Sequence, residues 1–265
     1  MSISKNLQIM GVLNANDDSF YSQSRFNEKD ALSKIEAMIK EGADIIDIGA
    51  VSSRPGAKQV SEKDELQRLQ PILDTINTHK LYEKVQLSLD SYSPLCISYA
   101  LERGFHIIND ITGLKDDRVC KLVGDYHAKA IMMHMQGDPQ TMQENPQYDN
   151  LLEEVEDFFL KGVEKAEHFN IKEIVLDVGI GFGKSLEHNL SLIRELGYFK
   201  RLDKELLIGA SRKSMIDLIS PSIAQERLPG TLALHLSAYD NGASIIRTHD
   251  VKEHVQAFKI HNALK

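Results

Sequence analysis

The sequence predicts an α/β protein that forms a single (β/α)8 TIM barrel over residues 1–265. Eight short apolar runs alternate with eight longer segments of helical period, and no Pro- or Ser-rich linker interrupts them. Nearly every position of the short runs is aliphatic, which is typical of parallel strands covered on both faces. A length of 265 residues is ordinary for one such barrel. The alternative is an open doubly wound sheet, but the first strand lacks the glycine fingerprint of dinucleotide-binding folds.

The strand and helix predictions follow the chain in order. The strand-like runs lie near residues 7–13, 43–48, 85–90, 106–109, 129–134, 173–177, 205–209 and 244–247. The helix-period segments lie near residues 28–41, 62–78, 94–103, 115–125, 150–169, 187–196, 225–241 and 251–264. Ser61 ahead of Asp64 predicts a capped helix start, and Gly42 and Gly104 fit the position just after a helix end.

Four long loops each follow a strand, so they lie on the face where barrel enzymes build their active sites. They span residues 14–27, 49–61, 134–149 and 178–186. The first two are rich in small and polar residues, and we expect them to act as lids.

Composition restricts the partners. The formal net charge is −8 and no block of Lys or Arg stands out, so we expect no nucleic acid partner. No apolar run approaches membrane-spanning length, and the first residues lack a signal-peptide pattern. We therefore expect no membrane partner and a cytoplasmic location. Cys96 and Cys120 lack metal-ligand spacing; we expect buried, reduced thiols, with a disulfide as the alternative.

Carboxylates and one amide lie at the ends of several strands. Asp47, Asp90, Asn109, Asp110 and Asp177 would all face one barrel mouth. A single Asp at such a position is as often a loop cap. Three strand-end aspartates around one mouth instead suggest a ligand, because a half-buried carboxylate needs hydrogen-bond donors. The N–H and NH2 edge of an aminopyrimidinone ring would supply a pair of donors, and Asn109 could both donate and accept.

Cationic side chains follow the last two strands. Ser211–Ser214 occupies the strand-to-helix junction after the seventh strand, where barrels often bind anions, so Lys213 would meet a negative charge. Arg247 and His249 would point to the same side of the eighth strand, and the planar Arg group suits phosphate. The alternatives are a solvated Lys213, a salt bridge between Arg247 and Asp250, and a capping role for His249. An acidic wall facing a basic wall suggests a ligand with a donor-rich ring and an anionic tail.

Three further features have more than one interpretation. Asn14 could supply an oxygen to Mg2+ that also holds substrate phosphate oxygens, or it could be a turn residue. His134 is interpreted as a packed strand-end histidine rather than a metal ligand. Gly179–Lys184 resembles a phosphate-binding loop, although such strings are a weak signal. Alternatively, the loop lets the backbone approach a flat ring, with Phe182 stacking on it.

Together these motifs resemble the dihydropteroate synthase family over nearly the whole chain. The matching segments are Met10–Asn14, Asp18–Phe20, Ala43–Gly49, Ser53–Gly56, Ile108–Ile111, Met133–Gly137, Thr141–Gln143, Gly179–Lys184, Ser211–Ser214, Gly242–Ala243 and Arg247–Val251. So many matches in order are far more specific than any single glycine string. The resemblance implies a pterin-binding barrel enzyme that uses Mg2+, forms a homodimer through late helices and is a sulfonamide target.

The resemblance also implies a reaction and a set of site residues. The family is a transferase that joins 6-hydroxymethyl-7,8-dihydropterin diphosphate to 4-aminobenzoate, releasing diphosphate and 7,8-dihydropteroate in folate biosynthesis. Pterin binding is expected from Asp90, Asn109, Asp177, Lys213 and Met133. Diphosphate binding is expected from Asn14, Arg247 and His249, with Asn14 also at the metal. Aminobenzoate binding is expected from Ser53, Arg54, Pro55, Phe182, Ser214 and Phe20.

The expected mechanism is a dissociative displacement with Lys213, Arg247, His249 and Asp177 as catalytic residues. The cations would stabilise the departing diphosphate as charge builds on it. Asp177 would help stabilise the cationic pterin methylene. The aromatic amine is neutral and would need no strong base.

The two lid loops depart from the family pattern. Asp17 stands in place of a proline, Ser22 in place of an aspartate and Val51 in place of a glutamate, and Val178 replaces a proline after Asp177. These changes bear on aminobenzoate handling more than on pterin binding. Three alternatives stay open: a pterin-binding paralogue with weak or no synthase activity, a methyltetrahydrofolate-type methyltransferase, and a barrel enzyme acting on a sugar or nucleotide phosphate.

Overall fold

The chain closes into one parallel barrel. The structure is a computed structural model that describes residues 7–15, 28–52, 60–138 and 140–265. The eight strands pair in chain order, and the first also pairs with the last. They are β1 Gln8–Asn14, β2 Ile45–Gly49, β3 Gln86–Asp90, β4 Ile107–Asp110, β5 Lys129–Met133, β6 Ile174–Asp177, β7 Glu205–Ile208 and β8 Ile245–Thr248. The predicted (β/α)8 barrel is confirmed.

Helices alternate with these strands along the chain. They are α1 Glu28–Glu41, α2 Glu62–Thr78, α3 Pro94–Leu101, α4 Asp117–Asp125, α5 Leu151–His168, α6 Leu186–Arg194, α7 Ser214–Ile219, α8 Leu228–Asp240 and α9 Val251–Ala263. The largest shift from prediction is in α8, expected near residue 225. Ala224–Glu226 is a separate 3-10 turn, and Pro229 lies in the first turn of α8, the part of a helix that tolerates proline.

The short helix α7 has no counterpart among the predicted helices. It begins at Ser214, with Lys213 in the flanking cap position. The expected strand-to-helix junction after β7 is therefore present, but it leads into a helix of only 6 residues. A period of 3.6 is hard to detect over so short a stretch.

The barrel interior changes from apolar to polar along the strands. Seven buried residues form an apolar cluster in it: Met10, Ile45, Ile107, Ile131, Val175, Leu207 and Ile245. Alternate residues of a strand face the same side, so the residues two positions further along the chain also face inward. On four strands these are Asp47, Asn109, Asp177 and Arg247. The apolar cluster thus forms the floor beneath a polar layer at the carboxyl ends of the strands.

The predicted helix cap, the two glycines after helix ends and the buried thiols are also confirmed. Ser61 Oγ accepts the Asp64 N–H at 3.2 Å, and Gly42 and Gly104 adopt the expected positive φ of 100° and 82°. Cys96 is buried as a free thiol, as is Cys120. Within the described ranges, no helix combines the length and the apolar character needed to cross a membrane.

Candidate active site

Arg247 lies at the centre of an ion-pair cluster in the barrel mouth. Its Nε donates to Asp47 Oδ2 and its Nη2 donates to Asp90 Oδ2, each at 2.7 Å. Asp47 is fully buried and also accepts from the Ser88 hydroxyl at 2.6 Å and from Asn109 Nδ2 at 3.0 Å. The cluster therefore joins four strands and gives every buried charge a partner, which burial requires.

The salt bridge considered for Arg247 from the sequence involves the wrong aspartate. Asp250 pairs with Arg212, whose Nε donates to Asp250 Oδ2 at 2.9 Å. Arg247 points into the barrel from β8, whereas Asp250 lies beyond the strand end. Burial raises the pKa of Asp90 to about 7, and the Arg247 guanidinium opposes that rise. Because two N–H groups of Arg247 already bind carboxylates, an anionic ligand would meet its remaining N–H groups.

Asp177 and Lys213 form the second half of the mouth. Asp177 is buried at the end of β6, where Oδ1 accepts the Gly179 N–H at 2.8 Å. Lys213 Nζ donates to the Ile180 carbonyl and lies 4.7 Å from the centre of the Phe182 ring. Burial lowers the pKa of Lys213 to about 8, which the charge of Asp177 opposes. Burial likewise raises the pKa of Asp177, against the charges of Lys213 and Arg247.

An apolar slot lies beside these charges. Met133, at the end of β5, packs with Ile111, Met135 and Met142, and Phe182 packs against them. All four aliphatic side chains are buried. A flat ring bound here would find sulfur and methyl groups on its faces and polar groups at its edge. The predicted placement of Met133 in a ring slot fits this geometry.

The loops after β7 and β8 are tied to each other. His249 is exposed; its Nδ1 lies 2.9 Å from Ser211 Oγ, and its N–H donates to the same oxygen at 3.3 Å. Ser214 is exposed at the start of α7. Arg212 adopts a left-handed φ of 55°, and its ion pair with Asp250 spans the two loops. The cations expected from the sequence therefore reach one side of the mouth.

Two buried histidines connect the same loops from below. The Ala210 N–H donates to His235 Nε2 at 3.0 Å, so in a neutral ring the proton lies on His235 Nδ1. That nitrogen is 2.8 Å from His254 Nε2, and His254 Nδ1 is 2.6 Å from the Asp250 carbonyl oxygen. Both rings are fully buried, and burial lowers the pKa of each. The hydrogen bonds therefore run in one direction, from β7 to the residue that follows His249.

Asp110 does not belong to the acidic wall. Its Oδ1 accepts the Thr112 N–H and hydroxyl, both at 2.7 Å, and its Oδ2 accepts the Leu114 N–H at 3.1 Å. Asp110 therefore caps the loop after β4. Its neighbour Asn109 faces the barrel interior, because successive strand residues point to opposite sides.

The glycine-rich stretch is not arranged to bind phosphate through its N–H groups. The Gly179 N–H donates to Asp177, the Gly181 N–H to Asn189 Oδ1 at 2.7 Å, and the Phe182 N–H to the Gly179 carbonyl at 3.0 Å. A phosphate-binding loop would leave such donors for its ligand. The alternative interpretation, a backbone turn that presents Phe182 to a flat ring, fits the structure.

Asn14 ends β1 at the same mouth, opposite Gly49 in the β1–β2 register. Among the residues that the structure describes, no group of three or more His, Cys, Asp or Glu side chains is arranged to hold a metal ion. Mg2+ is usually held by few protein ligands together with substrate phosphates. The side-chain oxygen of Asn14 is of the type that Mg2+ accepts, and its role as a metal ligand stays a prediction. Phe20, Ser53, Arg54 and Pro55 lie outside the described residues, as do Asp17 and Ser22.

Some functional candidates were missed or under-used in the sequence interpretation. Asp47 is expected among the ligand-binding carboxylates of the mouth, and its position two residues after the inward-facing Ile45 predicts an inward side chain, but its pairing with Arg247 is found only in the structure. Ser88 had no signal beyond its place in β3. Lys184, buried behind the glycine loop, was treated only as part of a motif. Lysines are almost never fully buried, so composition alone argued against its position.

A family profile described as pterin binding enzyme matches residues 10–249. This chain belongs to the pterin binding enzyme family. The bifunctional dihydropteroate synthase/dihydropteroate reductase of Helicobacter pylori is 44% identical over 258 residues, which are 97% of this chain and 68% of that protein. The dihydropteroate synthase of Escherichia coli is 41% identical over 255 residues, 95% of this chain and 89% of that protein.

Solved structures place the chain in the same group. The dihydropteroate synthase of Yersinia pestis, crystallised with a sulfonamide drug, superposes with a TM-score of 0.91 at 37% identity, covering 98% of this chain and 94% of that one. The Thermus thermophilus enzyme in complex with 4-aminobenzoate gives a TM-score of 0.88 at 36% identity, covering 98% and 95%. The chain is thus a member of the dihydropteroate synthase family within the pterin binding enzymes.

Proposed function

We propose that this chain is a dihydropteroate synthase of folate biosynthesis. It joins 6-hydroxymethyl-7,8-dihydropterin diphosphate to 4-aminobenzoate and releases diphosphate. The observation that carries the proposal is the mouth itself, where buried Asp177, cationic Lys213 and Arg247 and an apolar slot meet at the carboxyl ends of the strands. The family relationship supports the same reaction. The relatives are named as synthases, so they do not support the methyltransferase alternative.

The pterin ring enters the slot beside Met133. Asp177 accepts hydrogen bonds from the N–H and NH2 edge of the ring, as a buried carboxylate suits a paired donor. Asn109 donates to Asp47 through Nδ2, which leaves its carbonyl oxygen as an acceptor for the ring. Asp90 acts on the ring indirectly, because it holds Arg247.

The diphosphate lies on the cationic side, between Arg247, His249 and Lys213. Asn14 would hold Mg2+, which would supply positive charge against the diphosphate leaving group. Arg247 is already fixed by Asp47 and Asp90, so it needs little reorganisation when the leaving charge develops. A preorganised cation of this kind is what a dissociative displacement requires.

The reaction replaces one bond at the pterin methylene. The C–O bond to diphosphate breaks first, and the electron pair leaves with the oxygen. Asp177 and the polar layer stabilise the cationic methylene that remains. The amine nitrogen of 4-aminobenzoate then forms the C–N bond and loses a proton to solvent. Phe182 and Ser214 orient the aminobenzoate. Phe20, Ser53, Arg54 and Pro55, which the family resemblance assigns to the same substrate, lie outside the described residues.

Two copies of the chain associate, and the enzyme works in the cytoplasm. Support for a dimer comes from Leu218, Ile219 and Ile223, three large apolar side chains in and after α7 that are 67%, 54% and 61% exposed. Contiguous exposed apolar groups are typical of protein interfaces. The unpaired thiols of Cys96 and Cys120 fit a reducing compartment. Light scattering on the Leu218→Lys variant, compared with the original chain, tests the dimer.

The reaction is tested with purified protein and both substrates. Diphosphate release and dihydropteroate formation are measured with Mg2+ and with a chelator. Omission of 4-aminobenzoate distinguishes synthesis from simple hydrolysis, and Asp177→Asn controls for contaminating enzymes. Pterin binding without any dihydropteroate formation would instead establish the inactive paralogue.

A further inference from the structure

The glycine loop, residues 179–183, is held by side chains that bind its carbonyl groups. Four consecutive carbonyls each accept a hydrogen bond from a side chain outside the loop. The donors are Lys213 Nζ to Ile180, Gln143 Nε2 to Gly181 at 2.7 Å, Lys184 Nζ to Phe182 at 2.9 Å and the Tyr148 hydroxyl to Gly183 at 2.7 Å. So complete a set of side-chain donors fixes the path of a loop that has no secondary structure of its own.

The same loop packs directly on the segment after β5. Gly179 and Gly183 adopt positive φ angles of 66° and 62°. A Cβ atom on Gly179 would overlap the His134 carbonyl oxygen, and one on Gly183 would overlap the Gln136 carbonyl oxygen. The glycines therefore allow two backbones to touch, and Lys184 lies where they meet.

Lys184 contacts three acceptor atoms, which belong to His134 and Phe182. Its Nζ lies 2.9 Å from the Phe182 carbonyl oxygen, 2.9 Å from His134 Nδ1 and 3.3 Å from the His134 carbonyl oxygen. Lys184 is 3% exposed and His134 is 6% exposed. An ammonium group has three N–H donors, so the three contacts satisfy it fully when His134 is neutral. Burial lowers the pKa of both residues.

The peptide that Lys184 binds is the one that carries Phe182. The Phe182 ring packs against the methionine slot, and Lys213 Nζ lies 4.7 Å from the centre of the ring. Lys184 itself does not belong to that slot. It joins the Phe182 carbonyl to His134 in the segment after β5, outside the slot. Its loss would let the ring move relative to the slot without removing any group that touches a ligand.

We propose that Lys184 is a positioning residue that sets the Phe182 ring against the incoming 4-aminobenzoate, an inference that rests on the proposed synthase function. If Lys184 only stabilised the fold, its loss would lower stability without weakening the binding of one substrate more than the other. A positioning lysine would affect the aminobenzoate step selectively, because Phe182 forms part of that site while Asp177 and Asn109 read the pterin.

The test compares Lys184→Met with Lys161→Met, a matched change of an exposed lysine on α5. Lys184→Met is expected to raise the KM for 4-aminobenzoate by about ten- to hundredfold, the usual effect of a small misplacement of a positioning group. The Kd for 6-hydroxymethylpterin, measured by calorimetry, is expected to stay within about twofold of the original value, as would be the case for Lys161→Met. Lys184→Gln keeps N–H donors and is expected to recover part of the aminobenzoate affinity.

The outcomes separate this inference from the proposed function. No diphosphate release by the unmodified protein would remove the proposed function, whatever Lys184 does. An active protein whose Lys184→Met variant keeps its aminobenzoate KM, or loses pterin affinity equally, would overturn the inference. If Lys184→Met does not fold, Gln143→Leu and Tyr148→Phe can be tested instead. Each removes one side chain that donates a hydrogen bond to a loop carbonyl. Both are then expected to raise the aminobenzoate KM selectively, and unchanged values in both would overturn the positioning role.

Discussion

The two main cations of the mouth are held in opposite ways. Arg247 is bound by the carboxylates of Asp47 and Asp90 at 2.7 Å each. Lys213 donates to a peptide carbonyl and lies over an aromatic ring. The Arg247 half is therefore a closed ion-pair network in which two carboxylates fix the orientation of the guanidinium. In the Lys213 half, the charge is balanced mainly by the nearby Asp177, and burial lowers the lysine pKa.

This difference indicates that the two cations have different roles. A guanidinium keeps its charge at any physiological pH, and here Asp47 and Asp90 orient it. An ammonium with a lowered pKa gains most when an anion approaches, because the anion stabilises its charged form. We therefore expect Arg247 substitutions to damage the fold as well as the reaction. Lys213 substitutions should mainly affect substrate binding and its pH dependence.

The largest effect is expected from Arg247→Met. It leaves Asp47 fully buried without its cation, and breaking a buried ion pair from one side costs about 3–5 kcal/mol. We expect a loss of that size in the free energy of unfolding, measured by urea denaturation. Diphosphate release should be lost as well.

The double variant Arg247→Met with Asp47→Asn separates stability from function. Removing the orphaned charge should restore part of the unfolding free energy, because the two residues interact directly. Activity should stay lost, since the diphosphate still lacks its cation. A double variant no more stable than the single one would contradict the view of Arg247 as the centre of a buried network.

Asp177→Asn tests the other half at its ring-binding residue. Asparagine can still accept the Gly179 N–H, so the loop should keep its path. The charge that binds the ring edge is lost, however, and a hydrogen bond to a charged group contributes about 1.5–3 kcal/mol. We expect pterin affinity to fall roughly ten- to hundredfold by calorimetry, with little change in the urea midpoint. Unchanged pterin affinity would exclude Asp177 as the residue that binds the edge of the pterin ring.

The sequence predicted the positions of the site residues better than their partners. Inward-facing positions follow from strand alternation, so Asp177 and Arg247 could be placed at one mouth before any coordinates. The partner of Arg247 could not, because Asp47 is 200 residues away in the chain and Asp250 is only three residues away. Local patterns favour the nearby Asp250, whereas barrel closure between β8 and β1 brings β2 within reach.

The wrong assignment of Asp110 and the unpredicted burial of Lys184 have a similar origin. Asp110 ends a strand as Asp177 does, but it falls on the outward side of the alternation and caps a loop instead. Lys184 is charged, so its burial depends on three acceptors supplied by the fold. Neither outcome is encoded by residue type at a single position. Both depend on which backbone groups the loops bring near.

A pH series tests the lowered pKa of Lys213. The protonated lysine binds the anionic substrate, so kcat/KM should fall as pH rises through about 8, approaching tenfold per pH unit. In the complex, the bound anion raises the lysine pKa, and the fall in kcat should appear at higher pH. Lys213→Arg keeps its charge throughout and should lower kcat/KM without this decline. The same decline in Lys213→Arg would assign it to another group.

The smallest effect is expected where the two halves are joined, at His235 and His254. Protonation of either ring would set two N–H groups against each other, so both are neutral and their pKa values are lowered. The unfolded chain then binds more protons below about pH 6.5, so stability is fully present above that pH and declines as pH falls. Each histidine contributes at most about 1.4 kcal/mol per pH unit to this slope. The urea midpoint should fall between pH 7 and pH 5, less steeply in His235→Gln. The exposed His79→Gln is the matched control, and equal slopes in both variants would contradict the neutral pair.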